Sequence, residues 1–92
     1  MTGDIQHDAT RQRYFVVIDG AEAYLTYERP KAGHRRITHT IVPDALSGRG
    51  LGKQLVTQLM QDVIAAKETV SSSCWFASGL IEKTPEWAGL SA

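Results

Sequence analysis

The chain has 92 residues, 42% of them hydrophobic, with 10 basic and 10 acidic side chains and a formal net charge of zero. That length supports one core of modest size, and the balanced charge gives no overall field to attract nucleic acid or an anionic membrane. A single cysteine excludes an internal disulfide framework and fits a reducing, cytoplasmic setting.

No stretch is long and apolar enough to span a bilayer, and the polar start Met1-Thr2-Gly3-Asp4 does not read as a signal peptide. With no repeat or linker, residues 1–92 read as one domain, with 1–12 as a flexible N-terminal segment. Arg13 to Ile18 then reads as a strand, and Asp19-Gly20 is a strong two-residue hairpin turn. Glu22 to Glu28 returns, with Ala23, Leu25 and Tyr27 on one face and Tyr24 and Thr26 on the other. The Tyr24/Thr26 face would be solvated or would pair with another copy. Arg29 to His34 breaks the pattern and predicts a turn. Arg36 to Val42 is rich in β-branched residues and predicts a third strand, with Ile37, His39 and Ile41 alternating against Thr38, Thr40 and Val42. Beyond a glycine loop, Leu51, Leu55, Val56, Leu59, Met60, Val63 and Ile64 recur at helical spacing, with Lys53, Gln54, Thr57, Gln58, Gln61 and Asp62 opposite them. Thr69 to Phe76 is expected as a fourth strand and Ser78 to Lys83 as a short helix. Thr84-Pro85-Glu86 reads as a helix start: a cap, proline in the first position and an acid in the first turn.

The loop Ser47-Gly48-Arg49-Gly50-Leu51-Gly52-Lys53 holds the main chemical signal. Glycines allow close approach of the backbone to a ligand. The unpaired N–H groups of the following helix favour an anion such as phosphate. The nucleoside-triphosphate loop is excluded, because Gly52-Lys53 is followed by Gln54 rather than a hydroxyl residue. The dinucleotide fingerprint also fails, since its third glycine position falls on Lys53. Taken alone, the loop could still be a plain strand-to-helix corner.

The segment resembles the acyl-CoA-binding loop of the GNAT superfamily of N-acetyltransferases, with Gly50 and Gly52 at its two small positions and Ser47 where Gln or Arg is usual. The chain is similar to the small, single-domain members over residues 14–90. They share a His-Thr pair before the loop (His39-Thr40), a Gly-x-Gly-x-Gly/Ala-x-x-Leu run (Gly48, Gly50, Gly52, Leu55), a Cys-x-Phe (Cys74-Trp75-Phe76) and a Pro-Glu-aromatic (Pro85-Glu86-Trp87). The resemblance implies an α/β (α+β) fold: a mixed, mainly antiparallel curved sheet with a central helix after the loop. The extra N-terminal helices of larger members have no counterpart, so the substrate groove would be shallow or completed by another molecule.

The resemblance also implies acetyl-CoA as cosubstrate and no metal. Its pyrophosphate would meet the N–H groups from Gly48 through Arg49, Gly50, Leu51 and Gly52 to Lys53, with Arg49 and Lys53 adding charge or remaining solvated. The pantetheine arm would pair with the backbone of Ile41, Val42 and Pro43. His39 is the candidate general base, because imidazole titrates near neutral pH; its alternative is a structural histidine on the inner strand face beside Ile37 and Ile41. Cys74 could donate a proton to the departing thiolate or accept the acyl group; its alternative is inert packing. Larger family members use a tyrosine for that protonation, whereas Leu80 and Ile81 occupy the region here and no tyrosine follows Tyr27. His7 and His34 lie in polar stretches expected to be mobile, and no ligand spacing suggests a metal. Trp75, Phe76 and Trp87 read as core aromatics, although an exposed Trp87 could close the groove. Three functions follow: acetyl transfer to an amine on a small molecule or protein, acyl-CoA binding without catalysis, or an interaction domain.

Overall fold

The structure, a computed structural model, describes residues 5–91. Five strands lie in sequence order across one sheet: β1 (Gln6–Asp8), β2 (Arg13–Ile18), β3 (Ala21–Lys31), β4 (His34–Ile41) and β5 (Thr69–Ser72). The first four form an antiparallel meander, and β4 and β5 are parallel. A parallel pair needs a long crossover. Here α1 (Leu51–Ala66) supplies it, followed after β5 by α2 (Trp75–Lys83) and α3 (Pro85–Ala88).

Local chemistry accounts for most of these elements. Asp19 and Gly20 both take positive φ, 51° and 80°, matching the turn that joins tightly twisted antiparallel strands. Ala23, Leu25 and Tyr27 face the core from β3, as their alternation predicts. Leu51, Leu55, Val56, Leu59, Met60 and Val63 cover them from α1, while Ile64 turns to solvent. Pro85 opens α3, although Thr84 makes no side-chain cap and instead donates to the Leu80 carbonyl oxygen at 2.8 Å.

Three expectations are corrected at the sheet's edges. Residues 5–12 are not a loose segment: β1 pairs with β2, and His7 hydrogen-bonds the Tyr27 hydroxyl at 2.7 Å and stacks on Tyr14 with centroids 4.1 Å apart. Met1 to Asp4 lie outside the described residues. β3 continues through Pro30 to Lys31, because a register irregularity between Glu28 and Lys31 accommodates a residue that cannot donate to a ladder. His34 is 6% exposed, with Nδ1 2.7 Å from Thr69 Oγ1 and Nε2 2.8 Å from Ser71 Oγ, so it fastens β4 to β5.

Behind α1 lies a polar network assembled from five segments. Arg35, 5% exposed, donates to Tyr14 Oη and Glu68 Oε1 at 2.8 Å each and lies over the Tyr27 ring. Arg29 holds the other Glu68 oxygen, and Tyr14 donates to Asp62 on α1. A buried charge is stable only when paired in this way.

Candidate functional site

A bulge in β4 creates the site. Tyr27 pairs with Ile37 but Thr26 pairs with His39, so Thr38 and His39 together oppose a single residue of β3. The Thr38 hydroxyl donates to the Thr26 carbonyl oxygen at 3.0 Å and meets its hydroxyl at 2.7 Å, which pins the extra residue. A bulge bends its strand and increases the local twist. β4 and β5 accordingly pair only as far as Ile37 and Ser72, with one further bond from Ser73 N–H to the Ile37 carbonyl oxygen. Beyond that point the strands part, and the β4 edge facing β5 has no partner strand among the described residues.

Two adjoining hollows fill the gap. One, about 400 Å³, is lined by Thr38, His39, Thr40, Ile41, Ser73, Cys74 and Trp75. The other, about 270 Å³, is lined by Thr40, Val42, Gly52, Cys74, Trp75 and Phe76. Thr40, Cys74 and Trp75 belong to both, so one cleft runs from the outer sheet surface to the first turn of α1. His39 and Cys74 therefore meet in the same cleft, as do Ile41 and Val42; Pro43 follows directly at the end of β4.

The bulge also corrects the facing of β4. Strict alternation would put Ile37, His39 and Ile41 on one face. One extra residue reverses the order past Thr38. Ile37 is buried, Thr40 approaches α1 near Gly52, and His39 and Ile41 are exposed on the outer face. His39 is therefore an exposed residue of the outer face and not one of the inner face beside Ile37.

Cys74 lies outside any strand, half-buried against the edge of the core. β5 stops at Ser72, and Cys74 stands at the N-terminal boundary of α2 with its Sγ 3.8 Å from Thr40 Oγ1. Burial works against its thiolate. The Ala77 N–H, the Thr40 hydroxyl and the Phe76 N–H outweigh that effect and lower the thiol pKa below its ordinary value. The thiol itself makes no capping bond, so these donors act on the charged form.

At the inner end, Gly50 begins α1 in the left-handed conformation with φ 71°, and Gly48 has φ 80°. No side chain caps the helix and its first turn carries no acid, which leaves the N–H groups of Leu51, Gly52 and Lys53 without a side-chain partner. Arg49 and Lys53 are exposed, and neither joins an ion pair among the described residues. Gly52 has a packing role: a Cβ there would lie 3.0 Å from Phe76 Cε2. Among the described residues no His/Cys/Asp/Glu group could hold a metal ion, and no helix is long and apolar enough to cross a membrane.

Sequence reasoning missed Trp75, which is exposed at the cleft instead of buried, and left Thr40 without a role at Cys74. Trp87 is buried in the core, so it does not close the groove. The signal for Trp75 was present: Ala77 and Ile81 are four residues apart and both buried, a helical spacing that starts before Ser78.

This architecture recurs in known proteins. Residues 13–90 match the model of the GCN5-related N-acetyl-transferase family. The chain is 30% identical to Protein NATD1 of Xenopus tropicalis over 83 residues, spanning 88% of this chain and 76% of that protein. It is 29% identical to Protein NATD1 of Homo sapiens, over 88% of this chain and 74% of that one. The solution structure of a GCN5-like protein from Staphylococcus aureus superposes with a TM-score of 0.77 at 25% identity, covering 97% of this chain and 87% of that one. The match runs from the start of β2 past α3, and the chain belongs to the GCN5-related N-acetyltransferase family.

Proposed function

We propose that the protein binds acetyl-CoA along the cleft between β4 and β5 and transfers the acetyl group to an amine in the reducing interior of the cell. The observation that carries this reading is the continuity of the cleft with the open first turn of α1. Pyrophosphate fits the free N–H groups from Gly48 to Lys53, with Arg49 and Lys53 as flanking charges. The pantetheine amides fit the unpaired backbone of β4 up to Ile41, Val42 and Pro43. That run brings the thioester between His39 and Cys74.

The amine nitrogen attacks the thioester carbonyl carbon, and the carbonyl oxygen takes up the electron pair. The C–S bond then breaks as the carbonyl re-forms. His39 takes the proton shed by the nitrogen. Cys74 delivers a proton to the CoA sulfur, a role its lowered pKa suits, and regains one from solvent. Acyl-CoA binding without turnover is the second reading. It is favoured by the tyrosines: Tyr14 and Tyr27 are buried in the polar network and Tyr24 sits under Arg13, so none lines the cleft.

Calorimetric titration with acetyl-CoA, CoA and ATP tests binding. Saturable binding of the first two and none of ATP is expected; a folded protein that binds neither would leave an interaction domain. Turnover with an amine panel then separates enzyme from binding module. Unchanged turnover in both His39→Ala and Cys74→Ala would remove the assigned roles.

A further inference from the structure

Trp75 is 85% exposed at the outer mouth of the cleft, touching its neighbour Phe76 only edge-on with centroids 6.2 Å apart. Leaving so large an apolar ring in water forgoes the stabilisation that burial brings. Across the same hollow stands Ile41, 43% exposed. Its cross-strand neighbour Tyr24, and Phe15 beyond, continue the row beneath the Arg13 guanidinium, which leaves Ile41 as the open apolar wall.

Charge narrows what these two walls can hold. Among the described residues, none that lines the cleft is acidic. On the outer face, Glu22 is engaged by Arg13 and Glu28 by Arg36. An ammonium group entering this cleft would lose water and find no carboxylate in return among the described lining residues.

Resting on the acetyl-transfer reading above, we propose that the acceptor is a small aromatic amine of low basicity, with its ring between Trp75 and Ile41. The nitrogen lone pair of an arylamine is delocalised into the ring, so the molecule is uncharged at neutral pH. It enters without shedding an ionic hydration shell and attacks the thioester directly; the proton it releases in forming the amide passes to His39. A lysine ammonium, with a pKa of about 10.4, must first give up a proton before its nitrogen can attack, a step the uncharged arylamine does not need. The hollow beside Trp75, about 400 Å³, lies in the range of roughly 300–1,000 Å³ typical of small-molecule sites.

Two readouts on the full chain test the proposal. The first needs no cofactor: the indole N–H signals of Trp75 and Trp87 are followed by NMR, with Trp75→Ala to assign them. Adding p-anisidine should shift the Trp75 signal and leave buried Trp87 in place; no shift at Trp75, or an equal shift with spermidine, would overturn the proposal. The second is CoA release from acetyl-CoA. Here kcat/KM should be at least about tenfold higher for p-anisidine than for spermidine or an α-acetylated lysine amide. Trp75→Ala should raise KM for p-anisidine about tenfold and Trp75→Phe only a few-fold, as expected for loss or retention of ring stacking. A preference for the cationic amines would refute the acceptor class and leave acetyl transfer standing. Absence of acetyl-CoA binding would overturn the function, while the indole shift would still decide whether the mouth takes an arylamine.

Discussion

Gly50 offers a way to separate what the loop does for folding from what it does for a ligand. Its φ of 71° and ψ of 21° are left-handed, and an added Cβ would meet nothing within 4 Å. Substitution therefore costs conformation without a clash. The left-handed state costs an L-residue about 1–2 kcal/mol, offset by about 0.4–1 kcal/mol from the reduced freedom of the unfolded chain. The net is about 1 kcal/mol. With an unfolding entropy of about 2.1 cal/mol/K per residue, this corresponds to roughly 5 °C in Tm for the 92-residue chain. Gly50→Ala and Gly50→Glu should share that loss. They should differ toward acetyl-CoA. Alanine keeps the N–H groups of the first turn available. Glutamate puts a carboxylate about 6 Å from a phosphate charge, which at an effective dielectric of about 20 costs about 3 kcal/mol, or roughly a hundredfold in Kd. Thermal melts and calorimetry on the two variants measure both quantities. Equal affinity of Gly50→Glu and Gly50→Ala would refute pyrophosphate binding at this loop.

Arg35→Met should destabilise the protein by about 3 kcal/mol in urea unfolding, because Glu68 loses a buried partner; a loss below about 1 kcal/mol would show that Arg29 alone suffices. His7 should make stability fall in acid. Burial and the Arg35 charge depress its pKa from 6.5 against the pull of Asp62, so the unfolded chain takes up a proton that the folded chain resists. Its contribution is complete above about pH 6.5 and is lost as pH falls toward the lowered folded value. Melts between about pH 8 and pH 5 should show this slope, and His7→Asn should flatten it; an unchanged slope would exclude His7. Burial opposes ionisation of Glu68, but hydrogen bonds from Arg29 and Arg35 prevail and lower its pKa. A second, more acidic loss should therefore begin below pH 4.5 and vanish in Glu68→Gln. Thr40→Val should slow iodoacetamide alkylation of Cys74 several-fold at neutral pH, because the thiolate loses a hydroxyl donor; an unchanged rate would mean that Thr40 does not support the thiolate.

Much of this was legible in the residues. The β2–β3 hairpin, the buried stripe of α1 and the start of α3 depend on groups within a few positions of one another, and local spacing records such relations directly. The glycine loop pointed to the family only through the company it keeps with His39-Thr40 and Cys74. Gly52 has a further, packing reason to be small that no local pattern shows, because it comes from Phe76, 24 positions on.

The sequence by itself determined the periodic elements, the uncharged balance and the presence of a strand–glycine–helix unit, since each follows from neighbouring side chains and backbone preferences. The tertiary structure decided the rest. Alternation along β4 carries no mark of the bulge, because an extra residue is defined only against the partner strand, at Thr26. That single irregularity turns His39 and Ile41 outward, parts β4 from β5 and opens the cleft. The same holds for His7 and His34, whose polar stretches suggested mobility until partners from distant segments engaged them. Burial and pairing across the fold are properties of the assembled sheet, and no window of sequence contains them.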